Sequence, residues 1–342
     1  MTKKKVFYLT SSALSLFILS TFLCFQNTGQ NNDKQYLEEF RASNKAFAVE
    51  IPSELDFAGE SVPLDIFYSR EALDRELLVN TYWHSNTMLL LKRTARYFPV
   101  IEPILKKNGV PDDFKYLALI ESGLMNTVSP SNATGFWQFL DKTGKQYGLE
   151  VTEQVDERYH IVKSTEAACR YLKAAFMEFN NWTMAAASYN AGQGRISREV
   201  TRQKTKDYYD LYLNAETSRY VFRILALKLI SENPAGYGFY LRNKDLYPPL
   251  TTYRITVDTS ITDLVTFAAR NNVSYKVLKE FNPWLRSDQL KVLPGKSYTF
   301  DFPDKNSIHY SRMLNQVKDP DFIRGAPEMA VPGNDADNNK QE

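Results

Sequence analysis

The sequence predicts a mainly α-helical chain that carries a small α+β module near its C-terminal end. Three observations carry that expectation. Apolar residues recur with helical spacing in successive segments between about residues 63 and 235. No convincing pair of alternating strands interrupts residues 57–234. After Pro248-Pro249 the pattern changes to two short alternating segments, 253–257 and 298–302, on either side of two short helical ones at 262–270 and 275–281. The second part therefore reads as strand, helix, helix, strand.

Taken in order, the chain opens with Lys3, Lys4 and Lys5 before about twenty mostly apolar residues, 6–25. A basic region followed by an apolar run is an export signal. No small-x-small pair precedes a clean mature start, and Thr21, Phe22 and Leu23 are bulky for a lipoprotein cleavage box before Cys24. A cleaved signal peptide and an uncleaved membrane anchor both remain open over 1–26, and either places the rest outside the cytoplasm. Residues 27–62 read as a polar linker. A helical pattern follows Pro63 through Ile66, Leu73, Leu77 and Leu91, and Pro99 and Pro103 are expected to break it into a shorter helix that stops at Asn108-Gly109. Pro111 opens the next helix. Ser164 is expected to cap a further helix carrying Ala168, Tyr171, Leu172, Ala175 and Phe176. Trp182 begins another, stopped by Asn190 and Gly192, and a last one runs over 216–231. Residues 305–342 read as a polar tail, and beyond Arg324 the composition is that of a disordered segment.

Composition limits the function. The net charge of +2 is too small to argue for nucleic acid or for an acidic surface as partner. Two cysteines, Cys24 and Cys169, and three scattered histidines give no disulfide framework, redox motif or metal-ligand spacing, so neither a metal nor a cofactor is expected. Aromatic residues make up 13% of the chain, enough to furnish stacking platforms for a carbohydrate among rings that are mostly core.

One carboxylate stands out. Phe114, Leu117, Ala118 and Glu121 fall at i, i+3, i+4 and i+7, which puts Glu121 on the inward stripe of its helix. A carboxyl there is desolvated, its pKa is raised, and it is suited to giving a proton at neutral pH. The loop beginning at Ser122-Gly123 would leave it in a cleft. Three segments then fall in order: Glu121-Ser122, Gly135-Phe136-Trp137-Gln138-Phe139, and Ala187-Ser188-Tyr189-Asn190-Ala191-Gly192. Each has a plainer reading alone: core aromatics for Trp137 and Phe139, a surface amide for Gln138, a helix end for Tyr189-Asn190. Ser122 is no nucleophile, because no histidine stands in triad order and no elbow glycines flank it.

Together with Glu216-Thr217-Ser218-Arg219-Tyr220-Val221, these segments resemble the lytic transglycosylases of the goose-type lysozyme superfamily (SLT domain), of the membrane-bound murein transglycosylase D type. Thr143-Gly144, Tyr147-Gly148-Leu149 and residues 155–158 match as well, and the resemblance covers roughly 95–235. It implies a lysozyme-like α-helical catalytic domain over 63–245. It also implies cleavage of the β-1,4 bond between N-acetylmuramic acid and N-acetylglucosamine by a single carboxylate, Glu121, as acid and then base. Gln138, Tyr189 and Asn190 would hydrogen-bond the sugar, Ser122 would orient the acetamido group or the Glu121 carboxyl, and Tyr220 would tune or position Glu121. Trp137 is expected to pack behind the site and Arg158 with Asp156 to form a structural ion pair. Leu140-Asp141 departs from the usual Met-Pro and leaves the role of Asp141 open. Residues 250–304 resemble a LysM peptidoglycan-binding module, by Tyr253-Arg254-Ile255, Val273-Ser274, Asn282-Pro283 and Leu293-Pro294-Gly295-Lys296. Val257-Asp258-Thr259-Ser260 replaces the family's Gly-Asp-Thr, so a module that binds glycan and one that only packs on the catalytic domain are both open. The alternatives to a transglycosylase are a hydrolytic muramidase, which a second carboxylate such as Asp141 across the cleft would favour, and an idle wall-binding scaffold. The implied partners are peptidoglycan glycan strands and, if the first segment is uncleaved, a membrane.

Overall fold

A computed structural model of the chain describes residues 33–42 and 45–325. The apolar segment 6–25 lies outside the described residues, and among those described no helix is long and apolar enough to cross a membrane. The chain divides into two compact units, Met1–Ala48 and Val49–Glu342. In the first, residues 33–42 form one exposed helix, α1.

The second unit is mainly helical, with a strand-helix-helix-strand module near its end. Its first residues belong to the core and are no linker. Strands β1 (Asp56–Phe57) and β2 (Glu60–Ser61) form a tight hairpin, and Phe57 is fully buried edge-on to Phe114, ring centroids 5.3 Å apart. Single side chains inserted from a polar stretch leave no periodicity, which is why 27–62 reads as linker from its residues.

Helices α2 (Phe67–Tyr82) and α3 (His84–Asn108) follow, separated at Trp83, which leaves the helical region at φ −86°, ψ 59°. The break expected at Pro99 and Pro103 is absent, since α3 runs through both. Both prolines are exposed, four residues apart, while Phe98, Ile101 and Leu105 hold the opposite side in the core. The carbonyls deprived of their N–H partners thus face solvent, where water can take the missing bonds. Helix α4 (Lys115–Ser122) carries the stripe of Phe114, Leu117 and Ala118, all fully buried.

After α5 (Asp141–Gln146), helix α6 (Ile161–Phe179) starts three residues before Ser164. The hydroxyl of Ser164 donates to the His160 carbonyl at 2.8 Å, so this serine sits inside the first turn instead of capping it. Helix α7 (Trp182–Ala191) is capped twice. Asn181 Oδ1 accepts from Met184 N, and the Glu60 carboxylate accepts from the N–H groups of Trp182 and Thr183 at 2.6 and 2.8 Å. Helix α8 (Gln193–Gln203) has no sequence counterpart above, because Ile196 is its one buried residue. Helix α9 (Ala215–Glu232) is the spine of the domain and packs on α2, α4 and α7.

The module pairs β3 (Thr252–Val257) antiparallel with β4 (Tyr298–Pro303), in the register Thr252↔Pro303 to Val257↔Tyr298. Helices α10 (Leu264–Arg270) and α11 (Tyr275–Phe281) cover one face, with Leu264, Leu278, Phe300 and Phe302 as core. The module is not free of the helical domain. Val155 enters its core, Asp156 N donates to Trp284 O, and Arg286 N donates to Gln154 O, each at 2.8 Å. The polar tail expected from residue 305 begins later: α12 (Tyr310–Leu314) buries Met313, and Asn243 N donates to Phe322 O. Residues 326–342 lie outside the described residues.

Candidate active site

Glu121 ends α4, one residue before its last. Gly123 follows at φ 61°, a left-handed turn suited to glycine, and its N–H closes on Leu119 O at 2.9 Å. The chain then folds into an irregular loop tied by Gly135 N to Thr127 O and by Thr134 N to Phe139 O, at 2.9 and 3.0 Å. Gly135 is required: at φ 82°, a Cβ there would stand 1.9 Å from the Arg158 carbonyl oxygen. Arg158 braces this loop, donating to Asn132 O and Phe139 O while its own fork is held by Asp156 at 2.7 and 2.9 Å. Trp137 lies fully buried behind the loop, its indole N–H on Thr165 Oγ1 at 2.8 Å. Both arrangements agree with the packing roles read from the sequence.

The Glu121 carboxyl is half-buried in the wall of a cleft of about 480 Å³. Burial pushes its pKa up to about 7; the hydrogen bond from Tyr220 and the charge of Arg223 oppose that rise, and Glu216 adds to it. Tyr220, on α9, is almost fully buried, and its hydroxyl donates to Glu121 Oε1. Burial and the neighbouring Glu121 charge hold Tyr220 well above the ordinary tyrosine range, so it stays a donor. Tyr189, similarly raised, lies near enough for the charge of Glu121 to be felt and donates to Trp137 O at 2.8 Å.

The remaining sequence candidates surround this pair without touching the carboxyl. Ser122 is buried, with its hydroxyl turned to Phe136 O at 2.9 Å and to Ala118 O at 3.2 Å. Gln138, held at φ 48°, commits its amide nitrogen to Gly135 O at 2.7 Å and Thr127 O at 3.1 Å. Asn190 accepts from Thr217 Oγ1 at 2.9 Å and donates to Glu216 at 3.4 Å. Ser122 lines the cleft with Glu121; Gln138 reaches it through Thr127, which also lines it. Asp141 is elsewhere, exposed on α5 and paired with Lys145 at 2.8 Å, beside a separate depression.

The structure adds residues that the sequence reading did not single out. Glu76 on α2 is 2% exposed and lines the same cleft, with Oε1 2.7 Å from Arg219 Nε and Oε2 3.5 Å from Arg223 Nε. Leu73, Glu76, Leu77 and Asn80 repeat the spacing that exposed Glu121, so the same signal was present in α2. Trp83, at the break between α2 and α3, presents a 58% exposed ring at the cleft.

Residues 98–212 match the family described as Transglycosylase SLT domain, and residues 253–306 match the soluble lytic transglycosylase C-terminal LysM-like domain. The chain carries an SLT domain followed by a LysM-like domain. Membrane-bound lytic murein transglycosylase D of Escherichia coli strain K12 is 30% identical over 227 residues, which are 65% of this chain and 49% of that protein. The same figures hold for its namesake in E. coli O6:H1. A putative tributyltin chloride resistance protein of Alteromonas sp. strain M-1 is 27% identical over 122 residues, 35% of this chain and 59% of that protein. The chain thus spans about half the length of the E. coli relatives it matches. Glu121, Gln138 and Tyr189 fall within the SLT match, and Tyr220 lies beyond it on α9.

Proposed function

We propose that the protein is a peptidoglycan lytic transglycosylase of the cell envelope, with Glu121 as its single acid and base. The observation that carries this reading is the isolation of one proton-holding carboxyl. Glu121 has a pKa of about 7 in an open cleft, whereas Glu76 is ion-paired with two arginines and Asp141 faces another surface. Most glycosidases that activate water flank the bond with two carboxyls, roughly 5–9.5 Å apart. One suffices if the substrate supplies its own nucleophile.

In this mechanism neutral Glu121 protonates the oxygen of the departing N-acetylglucosamine as the C1–O bond of N-acetylmuramic acid breaks. The acetamido oxygen of the same sugar relieves the electron-poor C1. Glu121, now ionised, takes the proton of the 6-hydroxyl, and O6 attacks C1 to close a 1,6-anhydro ring. No water is consumed. Tyr220 fixes the carboxyl and shares the charge it gains. Ser122, Gln138, Tyr189 and Asn190 act as a set by holding the 122–140 loop and the end of α7 against the sugar. Trp83 offers a ring face for stacking a sugar at the outer end of the cleft. The kinship with membrane-bound lytic murein transglycosylase D and the LysM-like domain support peptidoglycan as substrate.

Mass spectrometry of the sugar ends released from purified sacculi tests the assignment. The expected products are anhydro-muramyl ends, one water lighter than reducing ends. They should fall about 10³-fold or more with Glu121→Gln, in keeping with loss of both proton transfers. Ordinary reducing ends would overturn the reading in favour of a muramidase. No release by the unaltered protein, with sacculi still bound, would leave a scaffold.

A further inference from the structure

A cleft of about 570 Å³ lies between the SLT domain and the LysM-like module, and its charge is one-sided. Arg93 and Arg96 of α3 face Lys276 and Lys279 of α11, and Arg286 stands beside them, with Glu280 as the one acidic side chain in the lining. Among the described residues none of these five cations has a carboxylate partner. Four of them are steadied by neutral groups instead. Arg93 Nη1 donates to Gly123 O at 3.2 Å, Arg96 Nε to Pro248 O at 3.0 Å, Arg286 Nη1 to Pro283 O at 3.0 Å, and Lys279 Nζ to Ser287 O at 3.0 Å. Arg96 lies over the Tyr247 ring and Arg286 over that of Tyr159, 5.4 and 4.1 Å from the centroids. Burial and the Arg286 charge hold the Lys279 ammonium below its ordinary range, against the opposing charge of Asp288. Such an arrangement lowers its own repulsion when an anion enters.

This groove is continuous with the catalytic cleft. Arg93 and Met125 line both, and the Arg93 guanidinium touches the carbonyl of Gly123, two residues past Glu121. A polymer seated at Glu121 therefore passes within reach of the cations. A glycan backbone is neutral apart from what hangs from it, and the carboxylates of peptidoglycan are on its peptide stems. Resting on the transglycosylase reading, we infer that the interdomain groove binds the carboxylates of a peptide stem on the strand being cleaved. The LysM-like module thereby supplies half of a stem-recognition site. Its α11 contributes Lys276 and Lys279, so its contribution to binding is the α11 face rather than the Val257–Ser260 turn, which lacks the family's Gly-Asp-Thr.

Binding is the readout, measured with Glu121→Gln protein so that nothing is cut. The probes are glycan strands of matched length with uncrosslinked stems, the same strands stripped of stems by an amidase and then chemically amidated at the lactyl carboxyls this frees, and strands whose stem carboxyls have been chemically amidated. Stem-bearing strands should bind about tenfold tighter than stripped ones at low salt, with the ratio shrinking as salt rises. Lys276→Glu, on an exposed side chain, should bring the ratio most of the way to one, and amidation should do the same without touching the protein. A ratio near one in the unaltered groove overturns the inference, as does a ratio that survives both the charge reversal and amidation. Failure of the transglycosylase reading appears separately, as the absence of anhydro ends from protein with Glu121 intact.

Discussion

The Glu121 cleft and the seam under the LysM-like module both hold an ionisable group in its neutral form, by burial, to different ends. In the cleft, burial raises a carboxyl to about 7. At the seam, burial lowers His160 to about 4, helped by the Lys163 charge and opposed by Asp301 and Glu157, and its ring stacks on Trp284 at 6.4 Å. A neutral carboxylic acid still has a proton to give, and Glu121 is reached by solvent and held by a donor. A neutral imidazole against an indole packs flat, and among the described residues its ring takes part in no side-chain hydrogen bond, although the charges of Lys163, Asp301 and Glu157 reach it. His160 also lines a cleft, of about 210 Å³, so what separates the two groups is the positioning partner: Tyr220 donates to Glu121, and no side-chain hydrogen bond holds the His160 ring among the described residues.

The two regions should also pull stability in opposite directions with pH. Between pH 4.5 and 7 the folded protein keeps a proton on Glu121 that the unfolded chain has released, so stability falls as pH rises through that window. Between pH 4 and 6.5 the unfolded chain holds a proton on His160 that the folded protein lacks, so stability rises with pH there. Glu121→Gln should therefore gain about 1–3 kcal/mol over the unaltered protein at pH 8 and nothing at pH 4, the open cleft keeping the figure below the full shift at ~1.4 kcal/mol per unit. His160→Phe, which keeps a ring on Trp284, should remove the loss on the acid side. Urea denaturation at pH 4, 6 and 8 reads both. If the two variants leave the pH profile of stability unchanged, the neutral-group comparison fails.

Much of the site was legible because it lies on regular elements. The stripe ending at Glu121 and the start of α7 at Trp182 carry their geometry in their sequence pattern. What escaped the reading has physical reasons. Trp83 sits at a helix break that no glycine or proline announces, and α3 passes through two prolines because both face solvent. Helix α8 is polar nearly all round, which erases the period. Glu60 caps α7 from 122 residues away in sequence, and the cations of the interdomain groove come from both domains. Contacts of that kind exist only once the chain is folded.

Trp83 sharpens the contrast between rings that pack and rings that bind. Trp137 and Trp284 are buried, whereas Trp83 exposes more than half its surface at the cleft. Trp83→Ala should weaken glycan-strand binding by about tenfold, consistent with loss of a stacking ring worth about 1–1.5 kcal/mol. Its melting temperature should change little. Titration of the Glu121→Gln background separates this from any effect on turnover. Equal affinity with and without the indole would make Trp83 a bystander.

The smallest expected effect discriminates between reactions. Water-dependent cleavage would need a carboxylate across the bond from Glu121, and Asp141 is the side chain the sequence offers for it. Its carboxylate is instead paired with Lys145, one turn along α5, on an exposed surface. Exposed pairs of this spacing contribute only about 0.3–0.5 kcal/mol, so neither folding nor chemistry depends on it. Asp141→Asn should change turnover on sacculi less than about twofold and leave the anhydro ends unaltered. A loss of ~10²-fold or more, as expected for removing a general base, would place Asp141 in the reaction and require the loop from Leu140 to swing it toward the bond.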